Sequence, residues 1–411
     1  MTSTVSSDHA PALVFDHAAA AIASARRAVV ADRYAANSLT AEWRKLTELE
    51  SIADEWRELA ARALEPNVFY EPAFALEAAA LFGRDAGAVL VWSGTSPRKL
   101  LGFFPAHIET RRCGVKLPVL VGWTHPYAPL GTPLVERQTA EPVIAAWLAH
   151  LADNPDLPKL LLLPFLPVDG PFAAALDVIL RRAQMSAADL NGHRRAQLAP
   201  GGDRLLYVER ALGQRRRKEL RRIMRRLGDA GAILFTTARE PAAVATALED
   251  FFTLESRGWK GQAGTAALCH DEVRSFMMAA VTALAARGNV AIDRILIDGR
   301  AIAATITLRT HDAAWFWKIA YDEAFAKYSP GVVLTVAVTE ELVEDTTIAR
   351  TDSCATANHP MIDHIWRERL ALVDRLIAVR PRAPFATARR LELLRSAVIA
   401  AAKRLRARFR R

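Results

Sequence analysis

Three apolar runs, Val290–Ile297, Ala301–Leu308 and Ala313–Ile319, follow one another closely, and Asp298-Gly299 separates the first two. Asp-Gly between apolar runs is the strongest short hairpin signal, because a type I′ turn needs positive φ at both central residues. An antiparallel meander is therefore the frame on which the second half must be built. Helical spacing surrounds it. Pro241–Ser256 carries Val244, Leu248, Phe251, Phe252 and Leu254 on one face, and Asp271–Ala286 and Val332–Val343 follow the same rule. Ile233–Thr236 and Ala349–Cys354 read as further strands, and Met361–Leu370 as a closing helix.

The first half repeats this grammar. Leu49, Ile52, Ala53, Trp56, Leu59, Ala60 and Ala63 recur at helical spacing before the break at Pro66-Asn67, and Phe74–Phe82 is a second helix. Ala88–Trp92 and Leu100–Ile108 flank the turn-rich Ser93-Gly94-Thr95-Ser96-Pro97, which makes them a hairpin. Leu117–Val121, a helix at Pro142–Leu151 and the strand Leu160–Leu163 complete the half. Two stretches of roughly 150 to 180 residues, each running helix, hairpin, helix, strand, imply a duplicated α+β scaffold. The divisions expected are an N-terminal extension over 1–45, a first lobe over 46–200, a second over 201–375 and a basic tail over 376–411.

Composition narrows the classes. A hydrophobic share of 51% and a charged share of 24% in 411 residues exclude a disordered chain. No run reaches the roughly 18 consecutive apolar residues of a membrane span, and Met1–Ala10 lacks the features of a secretory signal, so a cytoplasmic protein is expected. Three distant cysteines, Cys113, Cys269 and Cys354, suit reduced thiols and no metal site.

The net charge of +9 is unevenly placed. Gly213–Arg226 holds eight basic residues against Glu219, and Arg380–Arg411 holds eleven against Glu392, so the remainder is mildly acidic. A general DNA-binding face is thereby disfavoured. In the first segment Leu212, Leu220, Ile223, Met224 and Leu227 form one stripe, and the arginines, Arg222 among them, cover the other faces, where they could meet a phosphorylated substrate. The tail has a stripe of Leu391, Leu394, Val398, Ala401, Ala402, Leu405 and Phe409 among arginines, the pattern of a helix that lies on an anionic membrane surface or docks on the protein.

Three segments could carry chemistry. Ala320–Gly331 joins a strand to a helix; Ser329 is a natural N-cap, Pro330 fits the first helical position, and Gly331 would let a ligand approach backbone amides. Glu255–Ala266 is a glycine-spaced loop with Trp259 as a wall and Lys260 for an anion. Asp352–Arg367 crowds titratable groups without a metal or Cys–His spacing, so a general base from Asp352 or His359 is the expectation.

The order of the basic helix RRRKELRRIMRRLGDAG, the strand AILF, FFTLESRGWKGQAGTA, the hairpin RILIDGRAIAATITL and AWFWKIAYDEAFAKYSPG resembles the cellulose-biosynthesis, CelD-like branch of the GNAT acetyltransferase superfamily over about 205 to 370. NVFYEPAF and LLGFFPAHI are similar to the first lobe of such proteins, which pair two lobes as Fem-type transferases do. The resemblance implies two tandem GNAT-like lobes, each a mixed, mostly antiparallel sheet flanked by helices. It implies acyl-CoA (acetyl-CoA) as co-substrate, lying beside Lys318, Ile319 and Ala320, with its pyrophosphate at Tyr328, Ser329 and Gly331. AKYSPG stands where typical members carry Q/R-x-x-G-x-G/A.

An N- or O-acyltransferase is the expected function, with Asp352, His359 or Glu255 as base and Tyr321 or Tyr328 protonating the leaving thiolate. Trp259, Lys260 and Arg222 are assigned to substrate, and family analogy makes the acceptor a small molecule or glycan-type amine or hydroxyl of cell-envelope or polysaccharide chemistry. The alternatives are a Fem-like aminoacyl-tRNA-dependent transferase and a catalytically silent, membrane-associated adaptor at the inner face of the membrane.

Overall fold

The computed structural model describes residues 39–94, 96–201, 204–258, 261 and 263–409. The first half runs β1 (Leu39–Lys45), α1 (Ala53–Arg62), α2 (Pro72–Phe82), β2 (Ala86–Ser93), β3 (Leu100–Arg112), β4 (Val115–Gly122), β5 (Leu134–Val135), α3 (Ala140–Asp153), β6 (Leu160–Pro167), α4 (Pro171–Arg182) and β7 (Ala187–Leu198). The second runs α5 (Tyr207–Gly228), β8 (Ile233–Ala238), α6 (Pro241–Arg257), α7 (Asp271–Ala285), β9 (Val290–Ile297), β10 (Arg300–Thr310), β11 (Ala313–Tyr321), α8 (Pro330–Glu344), β12 (Arg350–Asp352), β13 (Glu368–Ala378) and α9 (Phe385–Phe409).

All strands join one sheet in the order β1-β2-β3-β4-β6-β13-β7-β12-β11-β10-β9-β8, with β5 beside β3. Read from either end the pattern is the same: four antiparallel strands, one parallel pair (β4 with β6, β11 with β12), then an exchanged strand. The last strand of each half crosses over, so β7 pairs with β12 and β13 pairs with β6. The expected α+β fold of two similar lobes, each a mixed, mostly antiparallel sheet flanked by helices, is present, and the exchange fuses the two sheets into one.

The Asp298-Gly299 turn joins β9 to β10 with φ of 48° and 80°, as the type I′ reading requires. The basic helix is kinked at Gly213, whose φ of 65° inside α5 is tolerable only without a Cβ. Leu227 is fully buried at its far end, and Leu220, Ile223 and Met224 pack on the core as the stripe predicts.

Two expectations are corrected. Leu39–Lys45, read as part of the extension, is an antiparallel partner of β2; residues 1–38 lie outside the described residues. The helix expected at Met361–Leu370 is a single 3-10 turn, Ile362–His364, followed by β13. Central strands are packed on both faces and need not alternate, and the charge of the buried Arg375 in β13 is met by Asp177 at 2.5 Å and Asp189 at 2.7 Å. Only residues 368–370 of β13 fall in the expected helix; the sequence reading assigns no element to 371–378.

Aromatic side chains of the two halves meet in one core. Phe74 stands 5.7 Å from Trp317 and 5.5 Å from Phe276, and Phe69 stands 6.1 Å from Trp315. This packing brings the loop after β4 against the middle of β11.

Candidate active site

β11 pairs with β10 along its whole length but with β12 only at Ala313–Trp315. Past Asp352 the chain turns away, with the Ser353 amide donating to Ala196 and Cys354 at φ 52°. Among the described residues, the edge of β11 from Phe316 to Tyr321 therefore has no strand beside it. An unpaired strand edge offers backbone donors and acceptors to whatever lies along it.

Within this stretch Lys318 is opposite Ile306 and Phe316 is opposite Thr307, so Trp317 is an inserted residue. A bulge turns two successive side chains to one face. Trp317 and Lys318 both point at the first half: Trp317 Nε1 donates to the Tyr127 carbonyl at 2.8 Å, and Lys318 Nζ lies 4.2 Å from the Tyr127 ring centre. Burial raises the Tyr127 phenol pKa, and the nearby Glu255 carboxylate adds to it. Burial, then the Lys318 charge, pushes His125 down to about 3.

Glu255, near the end of α6, is buried and accepts from the Ala267 amide at 2.9 Å. With Ala320 and Tyr321 it lines a small cleft of about 40 Å³ beside the bulge. Asp352 lies elsewhere. It accepts from Arg195 in a buried ion pair and from the Cys354 amide at 3.0 Å, and it lines a separate cavity of about 200 Å³ with Glu65 and Arg350. These contacts hold the end of β12. His359, whose pKa is lowered chiefly by burial, accepts from the Met361 amide at 3.4 Å and does not line the Glu255 cleft. The structure thus joins Glu255 and Tyr321 and leaves Asp352 and His359 apart.

The loop before α8 departs from its reading in two ways. Ser329 is left-handed (φ 47°, ψ 51°) and makes no side-chain cap; its carbonyl accepts from the Val332 and Val333 amides. A Cβ at Gly331 would lie 3.2 Å from Tyr321 Cδ1 and 3.7 Å from both Ile319 Cδ1 and Met361 Sδ. An added methyl at Gly331 would press on the Tyr321 ring and only touch Met361, so this glycine carries a packing constraint at the junction of β11 and α8. Tyr328 lies under two cations, Lys327 Nζ at 4.9 Å and Arg226 Cζ at 5.6 Å from its ring centre. Arg226 of α5 reaches this loop, and Arg222, on the same helix, is exposed. Trp259 and Lys260 lie outside the described residues.

Sequence reasoning missed Tyr127, His125, Arg195 and Arg226. The His125-Pro126-Tyr127 run in a loop after an apolar strand was the one local signal for the first two. Arg195 had none, because its partner is 157 positions away.

Residues 214–359 match the acetyltransferase (GNAT) domain model. No curated protein matches the chain. Among solved structures, FemX aligns with 82% of this chain and 97% of its own, at 10% identity and a TM-score of 0.53. A conserved protein of unknown function from Bacteroides thetaiotaomicron VPI-5482 covers 82% of this chain and 99% of its own, at 10% identity and a TM-score of 0.49. A tandem GNAT protein from the clavulanic acid biosynthesis pathway covers 84% and 99%, at 14% identity and a TM-score of 0.41. The FemX likeness bears on the fold of the whole chain, and the domain match bears on the segment that contains the open edge of β11 and the Glu255 cleft. Residues 214–359 are accordingly similar to acetyltransferase (GNAT) domains, and acyltransferase is the enzyme class that this match supports.

Proposed function

We propose that the chain transfers an acyl group from acyl-CoA, with acetyl-CoA the first candidate, to an amine or hydroxyl of a cell-envelope or polysaccharide-related acceptor. The observation that carries this reading is the unpaired edge of β11, which runs from the bulge beside Glu255 toward the first turn of α8. Backbone groups of Phe316–Tyr321 can pair with the amide-bearing arm of a thioester as a neighbouring strand would, and the Gly331 amide, the one N–H of the α8 first turn that the Ser329 carbonyl does not take, can face its pyrophosphate. The acceptor class rests on the resemblance of 205–370 to the CelD-like branch.

The thioester supplies an activated acyl carbon. Attack by the acceptor forms the C–N or C–O bond and breaks C–S; Glu255 takes the acceptor proton, and the Tyr321 phenol donates one to the departing sulfur. Lys318, held against Tyr127, fixes the strand at the bulge and keeps positive charge beside the reacting centre.

A thermal-shift series with acetyl-CoA, longer acyl-CoAs and free CoA tests this, followed by thiol release with candidate acceptors. Stabilisation by a thioester is expected; none with any thioester overturns the reading and leaves an adaptor. A second reading, transfer from aminoacyl-tRNA, is favoured by the exposed Arg215, Arg221, Arg222 and Arg225 of α5 with Arg226 at Tyr328. It requires affinity for tRNA that falls steeply with salt and depends on these arginines.

A further inference from the structure

α9 has 25 residues, about 37 Å at 1.5 Å per residue, and its N-terminal part is the part that is docked. Ala388 is buried in a cluster with Leu117, Val119 and Val121 of β4, Leu162 of β6 and Leu376 of β13. Glu392, also buried, accepts from Arg112, and Ser396 Oγ donates to the Glu392 carbonyl at 2.8 Å. Beyond this anchor the helix changes character. Leu393, Leu394, Val398 and Ile399 are exposed by 52%, 62%, 64% and 43%.

Four large apolar side chains exposed within seven positions form a patch, whereas single exposed apolar residues need no explanation. Leu394 and Val398, four apart, share one face. The same segment is strongly cationic, with eleven basic residues against Glu392 over Arg380–Arg411, and Arg389, Arg390 and Arg395 are exposed. A second copy of α9 would bring two such cation clusters together and be repelled. A nucleic acid would satisfy the arginines and leave Leu394 and Val398 in water. An anionic bilayer satisfies both, with apolar residues at the acyl boundary and arginines at lipid phosphates. No described helix is long and apolar enough to cross a membrane, so the contact is in the plane of the interface.

We propose that α9 is a surface-binding helix for anionic lipid bilayers, held at a fixed angle to the body by the Arg112–Glu392 pair. The test is co-sedimentation of the full chain with vesicles of phosphatidylcholine alone and of phosphatidylcholine with phosphatidylglycerol. Binding to the anionic vesicles is expected, and it should fall about tenfold in Leu394→Glu/Val398→Glu with thermal stability unchanged. Should that variant fail to fold, Arg389→Gln/Arg390→Gln, which alters two exposed positions, carries the test with an expected loss of about tenfold. No binding to anionic vesicles at low salt, equal binding by folded variants, or a concentration-dependent dimer or RNA complex abolished by the same substitutions in place of vesicle binding overturns the proposal.

Discussion

Lys318 Nζ of the second lobe lies 4.2 Å from the centre of the Tyr127 ring of the first, and the single inserted residue Trp317 aims it there. The contact ties the loop after β4 to the strand whose far edge is open. Removing the ring should loosen the bulge, while removing the hydroxyl should not. Tyr127→Ala is expected to cost about 1–3 kcal/mol of stability and to slow acyl transfer, whereas Tyr127→Phe keeps both near wild type. Urea unfolding and steady-state kinetics of the two variants check this; equal losses in both would assign the effect to the hydroxyl.

Glu255 is the carboxylate at the bulge, and its amide hydrogen bond can be kept while its basicity is removed. In Glu255→Gln the side-chain carbonyl still accepts from the Ala267 amide. The turnover number is therefore expected to fall about 10²–10⁴-fold with acyl-CoA affinity unchanged. A parallel loss of affinity would make Glu255 a binding or packing residue.

Most of the second lobe was legible because its signals are local. Asp298-Gly299 dictates a turn whatever surrounds it, and the apolar faces of α6 and α7 follow from spacing alone. Elements that failed to announce themselves depend on distant partners. β13 is a strand because β6 and β7 flank it, with Arg375 met by Asp177 and Asp189, and β1 is a strand because β2 offers it an edge. The site divided the same way. Tyr321 and Glu255, singled out from their segments, line one cleft, whereas Asp352, chosen for its crowded surroundings, pairs with Arg195 from a strand exchanged between lobes. Gly331 was singled out for a ligand's approach, and the structure adds a packing constraint there, the nearness of Tyr321 to α8.

The Arg195–Asp352 pair gives a stability prediction. Both side chains are buried, with 2% and 7% of their surface exposed. Removing one partner strands the other's charge, so Asp352→Ala should destabilise by about 3–5 kcal/mol. Arg195→Met/Asp352→Leu should cost less than the single change, because no unpaired charge remains. Chemical unfolding of the three proteins decides; a double variant worse than the single would mean that Arg195 matters mainly through its 3.0 Å bond to the Pro129 carbonyl.

The half-buried His125 and the buried Asp293 should bend the pH profile in opposite directions. His125 falls from 6.5 to about 3, chiefly through burial, so it contributes stability that is full above 6.5 and is lost as pH drops toward 3. Asp293 rises from 3.8 to about 6, also chiefly through burial, so its contribution is present below 3.8 and is lost as pH rises through 6. Between 3.8 and 6 the two slopes, each roughly 1.4 kcal/mol per pH unit, oppose one another. Relative to wild type, His125→Phe should lose stability as pH rises across that window and Asp293→Asn should gain it. Unfolding curves at several pH values test the signs, and parallel curves would show that neither group stays buried in its uncharged form.

Gly331 and Tyr321 should be energetically coupled. A Cβ on Gly331 meets Tyr321 Cδ1 at 3.2 Å, closer than ordinary van der Waals contact, so Gly331→Ala must displace the tyrosine ring or the first turn of α8. Either displacement disturbs the junction of β11 and α8 where the thioester is proposed to lie. Weaker acyl-CoA binding is therefore expected in Gly331→Ala, and a larger loss in Gly331→Val. Tyr321→Ala removes the atom that is struck, so adding Gly331→Ala to it should cost little further affinity. A double-mutant cycle read by acyl-CoA titration measures this coupling. If the two losses simply add, Gly331 acts on the ligand through the helix and not through Tyr321; if Gly331→Val binds as wild type does, the pyrophosphate is not held at this turn.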